Sequence, residues 1–358
     1  ARQHLNFSEI GMLPAAQQKG LLYEAVNQIR FHAMPLPAYA RLHPSAALAP
    51  AQVKAIEDYL RAASESDAAS AKLQPPSETR TVLAAGAHSV AAAPNGIPFP
   101  EGYQHWKWIS TTDRFDNQSI RAVLGNPIAV QAARDHRGWP DGAMLAKVAW
   151  VAQPRADGRI EAGSFWQVEF MIRDQQKYAA TKGWGWARWR TSDLKPYGKG
   201  AQFAEECVGC HAPLRDSDYI FTPIHPDAAP KGDLPWNPLQ GDVITSILDR
   251  GAASISTLYG NDSAVQYARS HVDSNYPAGA SVSLVTWNQK DDENWFGARV
   301  PGQVKSVEFV NVADGPDQRP AYSYQRYSGS PLTRMGVDPA TAEERTAYLL
   351  SLRAAGMP

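Results

Sequence analysis

Cys207-Val208-Gly209-Cys210-His211 is the stretch whose residue types and spacing most directly imply chemistry. Two thiols separated by two residues, with a histidine directly after the second, form the pattern by which thiols add to the vinyl groups of a haem while the imidazole ligates its iron. The chain holds only two cysteines, and both lie here. A redox disulfide or half of a zinc site would use the same Cys-x-x-Cys pair, but the adjoining histidine and the lack of further cysteines weigh against both. The expectation is one covalently attached haem c, with Cys207 and Cys210 as attachment points and His211 as the iron ligand. Covalent haem attachment takes place outside the cytoplasm, so a periplasmic, exported protein is expected. Ala1 opens without a charged or apolar leader region, which reads as a processed chain.

Composition bounds the alternatives. The 358 residues leave room for two or three domains, and 44% hydrophobic with 20% charged residues is ordinary globular usage. A net charge of -1 supplies no basic field for a phosphate backbone, so nucleic acid is excluded as a partner. The longest apolar stretches, such as Ala143 to Val151, fall far short of the roughly 18–20 residues that cross a bilayer. His105, His136, His225 and His271 have no spacing that suggests a metal cluster.

The elements that must position the motif follow from periodicity. Leu21, Leu22, Ala25, Val26 and Ile29 recur at helical spacing up to Met34-Pro35-Leu36-Pro37, and Val53, Ile56, Tyr59 and Leu60 suggest a second short helix after Pro50. From about 62 to 100 the chain turns rich in Ala, Ser, Pro and Gly, broken only by Thr81-Val82-Leu83, and reads as a linker. An internal repeat follows. Leu124-Gly125-Asn126-Pro127-Ile128-Ala129-Val130-Gln131-Ala132-Ala133-Arg134 is echoed by Tyr259-Gly260-Asn261-Asp262-Ser263-Ala264-Val265-Gln266-Tyr267-Ala268-Arg269. His136 then matches His271, Trp150 matches Trp287, and Val168-Glu169-Phe170 matches Val307-Glu308-Phe309. An ordered match over about fifty positions points to two copies of one fold.

Ile120, Val123 and Leu124 read as a helical stripe stopping at Gly125, with Asn126 capping a new helix that begins at Pro127. After the turn Pro140-Asp141-Gly142, Ala143 to Val151 and Phe165 to Ile172 read as strands. Period two puts Lys147 on one side with Leu145 and Ala149, while Met144, Ala146, Val148 and Trp150 take the other. In the next strand Gln167, Glu169 and Met171 share a face opposite to Trp166, Val168, Phe170 and Ile172. Trp184, Trp186 and Trp189 read as sheet-packing residues.

With these elements placed, residues from about 103 to 226 resemble the cytochrome P460 and cytochrome c′-beta family. The carrying residues are Pro140-Asp141-Gly142 followed by Lys147, Val168-Glu169 leading to Arg173-Asp174, Gly183-Trp184-Gly185-Trp186, and Glu206-Cys207-Val208-Gly209-Cys210-His211 running into Asp218-Tyr219-Ile220-Phe221-Thr222. The resemblance implies a five-coordinate haem packed on an antiparallel sheet, with His211 as its protein ligand. It also implies, for members that oxidise hydroxylamine, a lysine bonded to the porphyrin edge and a distal carboxylate, which fall on Lys147 and Glu169. Both keep plainer alternatives: Lys147 snorkelling to solvent or lying unlinked in the pocket, and Glu169 solvated on a half-buried strand. Met171 shares the Glu169 face and could close the open site as a sixth ligand, though methionine is more often core filler.

The stretch from about 234 to 331 has no Cys-x-x-Cys-His, carries Leu284 where the first copy has Lys147, and reads as a haem-free partner. Residues 1–61 carry a weaker resemblance to the later part of a small bacterial haem-binding domain, through His4-Leu5-Asn6-Phe7-Ser8-Glu9, Met34-Pro35-Leu36-Pro37-Ala38-Tyr39 and His43-Pro44. It would make Met34 an axial ligand, but with no cysteine in that segment a packing remnant is the reading. The expectation is an α+β protein with a helical segment (1–61), a linker (62–100), a P460-type antiparallel β-sheet haem domain (101–230), and its haem-free duplicate with a C-terminal helix (231–358). The leading function is oxidation of a small nitrogen compound such as hydroxylamine, with Glu169 and Lys147 as catalytic groups. An NO-binding or electron-transfer cytochrome without turnover is the alternative. The implied partners are a small-molecule or gas ligand, an external redox protein and, as an assembly, a homodimer.

Overall fold

A computed structural model describes residues 8–13, 15–70, 90–135, 138–221, 228–271, 273–315 and 320–358. Three helices open it: α1 (Ala15–Arg30), α2 (Pro37–Leu42) and α3 (Pro50–Ser70). The helix expected to be short after Pro50 runs on to Ser70, so the segment expected as linker from residue 62 begins as helix. Its far end packs inward, with Ala93 and Ile97 buried. Thr81-Val82-Leu83, His4 to Phe7, His136 and His225 lie outside the described residues.

Twelve strands follow: β1 (Lys107–Arg114), β2 (Ser119–Gly125), β3 (Met144–Pro154), β4 (Arg159–Arg173), β5 (Trp184–Arg190), β6 (Lys195–Pro196), β7 (Asp242–Asp249), β8 (Ser254–Gly260), β9 (Ser281–Asp291), β10 (Ala298–Asp314), β11 (Pro320–Ser328) and β12 (Thr333–Met335). Four more helices punctuate them: α4 (Pro127–Asp135), α5 (Ala204–His211), α6 (Asp262–Ser270) and α7 (Pro339–Ser351). All strands join one antiparallel sheet in the order β1-β2-β3-β4-β7-β8-β9-β10, and β10 returns to β1, closing a barrel. The two long strands make this possible. β4 pairs with β7 through Arg159–Glu161 and with β5 through Gln167–Arg173, while β10 pairs with β1 at Ala298 and Arg299 and with β11 from Ser306 onward.

The series β1-β2-α4-β3-β4-β5 and β7-β8-α6-β9-β10-β11 run in the same order, and β1 and β7 each carry an irregularity at the same place against their partners, Trp108/Ser110 and Val243/Thr245. The inner faces of both series share one core, in which Trp108 and Trp287 stack with ring centroids 4.9 Å apart. Trp150, Trp189 and Trp287 are fully buried there, and each indole N–H donates to a backbone carbonyl, of Gly356, Ala91 and Ala228 respectively. An aromatic side chain of this size removes roughly 200 Å² from water, about 5 kcal/mol each, so these rings dominate the core.

A second expectation is overturned. Ile120, Val123 and Leu124 do not form a helix; they lie in β2, hydrogen-bonded to β1 on one side and β3 on the other. Ile120, Ala122 and Leu124 are the fully buried set, which is period two, whereas a helical stripe would bury Val123 in place of Ala122. Gly125 is therefore not a helix end. It sits where β2 meets α4, and a Cβ there would come within 2.6 Å of Ile109 Cδ1 and 3.1 Å of Ala129 Cβ. Asn126 does cap the helix that follows, its Oδ1 accepting from Ala129 N at 2.9 Å.

The helical module docks on the barrel through Tyr23, Val26 and Leu60, which are buried with Phe115 and Phe296. Asn27 both donates to Phe296 O and accepts from Phe296 N, at 2.9 and 2.7 Å. No described helix is long and apolar enough to cross a membrane.

Candidate haem site

The motif itself is the short helix α5. Cys207 and Cys210 are three residues apart and His211 is four beyond Cys207, so helical geometry places all three on one side. Glu205 and Glu206 occupy the first turn, where the helix dipole favours carboxylates. The cysteines are half-buried and not joined to each other. Burial pushes the Cys207 thiol up to about 11, against the lowering pull of Arg188, and raises that of Cys210 as well. Burial thus favours the neutral thiol form of both.

After α5 the chain doubles back through a turn, Ala212–Ser217, that ends with Asp218 and Tyr219 in the left-handed region at φ 54° and 67°. That reversal aims the Tyr219 carbonyl at His211, whose Nδ1 lies 2.6 Å from it. Nδ1–H therefore donates, and the Nε2 lone pair is left for a metal. Burial brings the imidazole down to about 4, so it is neutral at physiological pH, the form that can ligate. Trp186 and Phe221 flank the ring with centroids at 4.6 and 4.7 Å.

The sheet beside this helix presents a cross-strand row over four strands that is polar on three of them. Val123 on β2 is opposite Lys147, Lys147 on β3 is opposite Glu169, and Glu169 on β4 is opposite Arg188 on β5. Lys147 and Glu169 form an ion pair, and Arg188 Nε stands 2.6 Å from the other carboxylate oxygen. Arg121, two residues from Val123 on β2, points to the same face. Burial lowers its guanidinium to about 9, and the field of Arg114 adds to that. For Glu169, burial would raise the pKa, but Lys147, Arg188 and Arg121 together hold it well below the ordinary carboxylate range. Lys147 is lowered, by burial first, with Glu169 opposing. The opposite face of these strands, with Ala146, Val148, Val168 and Phe170, belongs to the shared core.

Lys147 and Glu169 are thus brought together on the motif's side of the sheet, and both perturb the electrostatics of Cys207, Cys210 and His211. Met171 lies one step along the same face, opposite Leu145 on β3 and Trp186 on β5, and packs in the apolar cluster that includes Val208 and Tyr219. Met34 lies beyond α1 in the helical module, and His271 stacks on Tyr267 at 4.1 Å. Sequence reasoning did not single out Arg121 and Arg188. Alternation along β2 and β5 places them, but only the pairing of separate strands shows that they converge on Glu169.

In the second half the corresponding row is Leu258, Leu284, Glu308 and Arg326. Glu308 is buried and takes two bonds from Arg345 of α7, at 2.9 and 2.7 Å, and a third from Tyr324 Oη. Leu349 and Leu350 of α7 are buried with Leu284 and Val310. In this half a helix of ordinary leucines covers the face that α5 covers in the other.

These residues fit a haem on three grounds: two helix-borne thiols free of each other, an imidazole whose Nδ1 is engaged so that Nε2 is left for iron, and the cations Arg121, Lys147 and Arg188, which outnumber Glu169 and could pair with propionates. Comparison with known families agrees with the geometry. Residues 100–222 match the Cytochrome P460 family model, and residues 1–62 match that of a Haem-binding domain. No curated protein matches the chain.

Proposed function

Because the chain carries a P460-type haem domain, we propose that it is a periplasmic c-type cytochrome holding one haem through Cys207 and Cys210, with His211 as axial ligand, and that it oxidises a small nitrogen compound such as hydroxylamine. The observation that carries this reading is the Lys147–Glu169 pair, set on the motif's side of the sheet beside Arg188. A haem held by Cys207, Cys210 and His211 would supply one-electron chemistry, with an external redox protein as the electron acceptor. Glu169 supplies the proton acceptor such an oxidation needs.

Paired as it is, Glu169 has little affinity for a proton. Engagement of Lys147 with the porphyrin edge would take away the largest of its lowering charges, and the carboxylate would move back toward the range in which it accepts protons. Arg121 and Arg188 would then be left to balance the propionates. Met171 serves as packing in this reading, in the apolar cluster with Trp186, Val208 and Tyr219.

A second reading has a specific observation behind it. If Lys147 keeps its pairing with Glu169, no free base faces the iron, and the site binds NO or passes electrons without turnover. One preparation separates the two. Intact mass reports one haem and any additional porphyrin bond, the ferrous absorbance spectrum reports coordination, and hydroxylamine oxidation with a one-electron acceptor reports turnover. A protein with two haems or none, or with no hydroxylamine-dependent reduction of the acceptor, defeats the leading reading.

A further inference from the structure

The residue that holds the far side of the His211 ring is itself held by the other half of the molecule. Phe221, edge-on to His211 at 4.7 Å, receives three contacts from outside its own half. Asn294 Nδ2 donates to the Phe221 carbonyl at 2.7 Å, Trp295 meets its ring at 5.5 Å, and Phe31, just beyond α1, meets it at 6.0 Å. Asn294 and Trp295 belong to the loop between β9 and β10, in the half that has no cysteine.

That loop is anchored on every side. Asp292 Oδ1 accepts from Asn294 N at 2.8 Å, and the Trp295 indole N–H donates to Asp116 Oδ2 at 3.0 Å. The Arg114 guanidinium lies over the Trp295 ring at 4.3 Å, and the next residue, Phe296, is tied through its backbone to Asn27 of α1. Gly297 closes the loop at φ +99°, where a Cβ would come within 2.7 Å of Tyr23 and Asp116. Fixed this way, the loop cannot rotate Trp295 off Phe221 without breaking contacts to both the first half and the helical module.

We infer that Asn294 and Trp295 are positioning residues for the axial histidine, and that fixing this ligand through Phe221 is a task of the half without cysteines. The inference rests on the haem reading of His211. The Nδ1–H bond to Tyr219 raises the basicity of the coordinating nitrogen, and Tyr219 and Phe221 lie on one short segment. Slack at Phe221 therefore loosens both the ring's flank and its hydrogen bond, weakening the imidazole as a donor to iron.

The test uses the haem-loaded full chain and two readouts, the iron–histidine stretching band of the ferrous protein and the midpoint reduction potential. Trp295→Leu and Asn294→Ala should each lower and broaden the band and raise the potential, and Trp295→Phe, which keeps a ring, should restore most of both. Trp236→Leu serves as control: Trp236 packs on Phe309 at 4.5 Å in the same half, so its loss loosens that half without touching Phe221. It should lower thermal stability and leave band and potential in place. If Trp295→Leu fails to fold, Asn294→Ala carries the test. Unmoved bands in the folded Asn294 and Trp295 variants overturn the inference, as does an equal shift in the Trp236 control. A His211→Ala variant with an unaltered axial signature would instead refute the haem reading itself.

Discussion

Replacing Glu169 by Gln removes the one carboxylate around which Arg121, Lys147 and Arg188 are arranged, and keeps its size. At the 2.6 Å of the Arg188 contact, with an effective dielectric of about 20, a unit charge pair is worth roughly 6 kcal/mol before desolvation and ordering are subtracted. Lys147 is 33% exposed, so its share is screened, whereas Glu169 and Arg188 are 15% and 18% exposed. Breaking a buried pair by removing one partner costs about 3–5 kcal/mol; with that screening, Glu169→Gln should cost about 2–3 kcal/mol at neutral pH. The pH dependence has a definite sign. The folded-state pKa of Glu169 lies below its ordinary 4.5, so its contribution is fully present above that value and lost as pH falls below it. Urea unfolding of wild type and variant should therefore differ by a constant amount through neutrality and converge under acid conditions. On the proposed function, haem attachment through Cys207 and Cys210 with His211 as ligand should persist, while hydroxylamine oxidation falls by about a hundredfold or more. A variant as stable as wild type at neutral pH, or a difference that does not shrink in acid, would falsify the charge-balance argument, and full turnover would remove Glu169 from the mechanism.

Lys147→Ala should return the Soret band to that of an ordinary haem c and abolish hydroxylamine oxidation if the lysine is joined to the porphyrin, which spectra and intact mass check together. Asp292→Asn should stabilise the protein: burial raises this carboxyl to about 6, so its contribution is present below the ordinary 3.8 and lost as pH rises through 6. Thermal melts should show the variant ahead by up to about 3 kcal/mol above pH 6 and level with wild type near pH 4. Arg345→Ala strands Glu308, whose side chain is 5% exposed, and should cost about 3 kcal/mol in denaturant titrations without altering the haem spectrum.

Much of the site could be read along the chain because its signals are local. Cys-x-x-Cys-His needs only five residues, Asn126 before Pro127 caps its helix through adjacent atoms, and alternation in β3 and β4 assigned Lys147 and Glu169 to their faces. What escaped is non-local. Ile120, Val123 and Leu124 fit a helical period while Ile120, Ala122 and Leu124 fit a strand period, and only pairing to β1 and β3 decides between them. Arg188 was invisible as a partner of Glu169 because cross-strand opposition is set by the register of β4 on β5. Asn294 and Trp295 lie some seventy residues beyond Phe221, and nothing in local sequence ties them to it.

The two halves meet the same electrostatic demand in different ways. Each places a glutamate, Glu169 or Glu308, at one position of its fourth long strand, with an arginine, Arg188 or Arg326, across from it on the next. A buried carboxylate needs cations within contact distance. The first half draws them from the sheet, through Lys147 and Arg188, and so needs no charge from the helix that covers it. That leaves α5 free to carry thiols and an imidazole. In the second half Leu284 stands in place of the lysine and Arg326 is exposed, so the counter-charge must come from the cover. Arg345 provides it, and its helix arrives with Leu349 and Leu350, which fill the space above Leu284 and Val310. The exchange of a single lysine for leucine on the third strand of the unit is thus coupled to which helix can cover the face. In the second half Arg345 and the leucines of α7 lie on the face, whereas in the first the carboxylate is balanced from within the sheet.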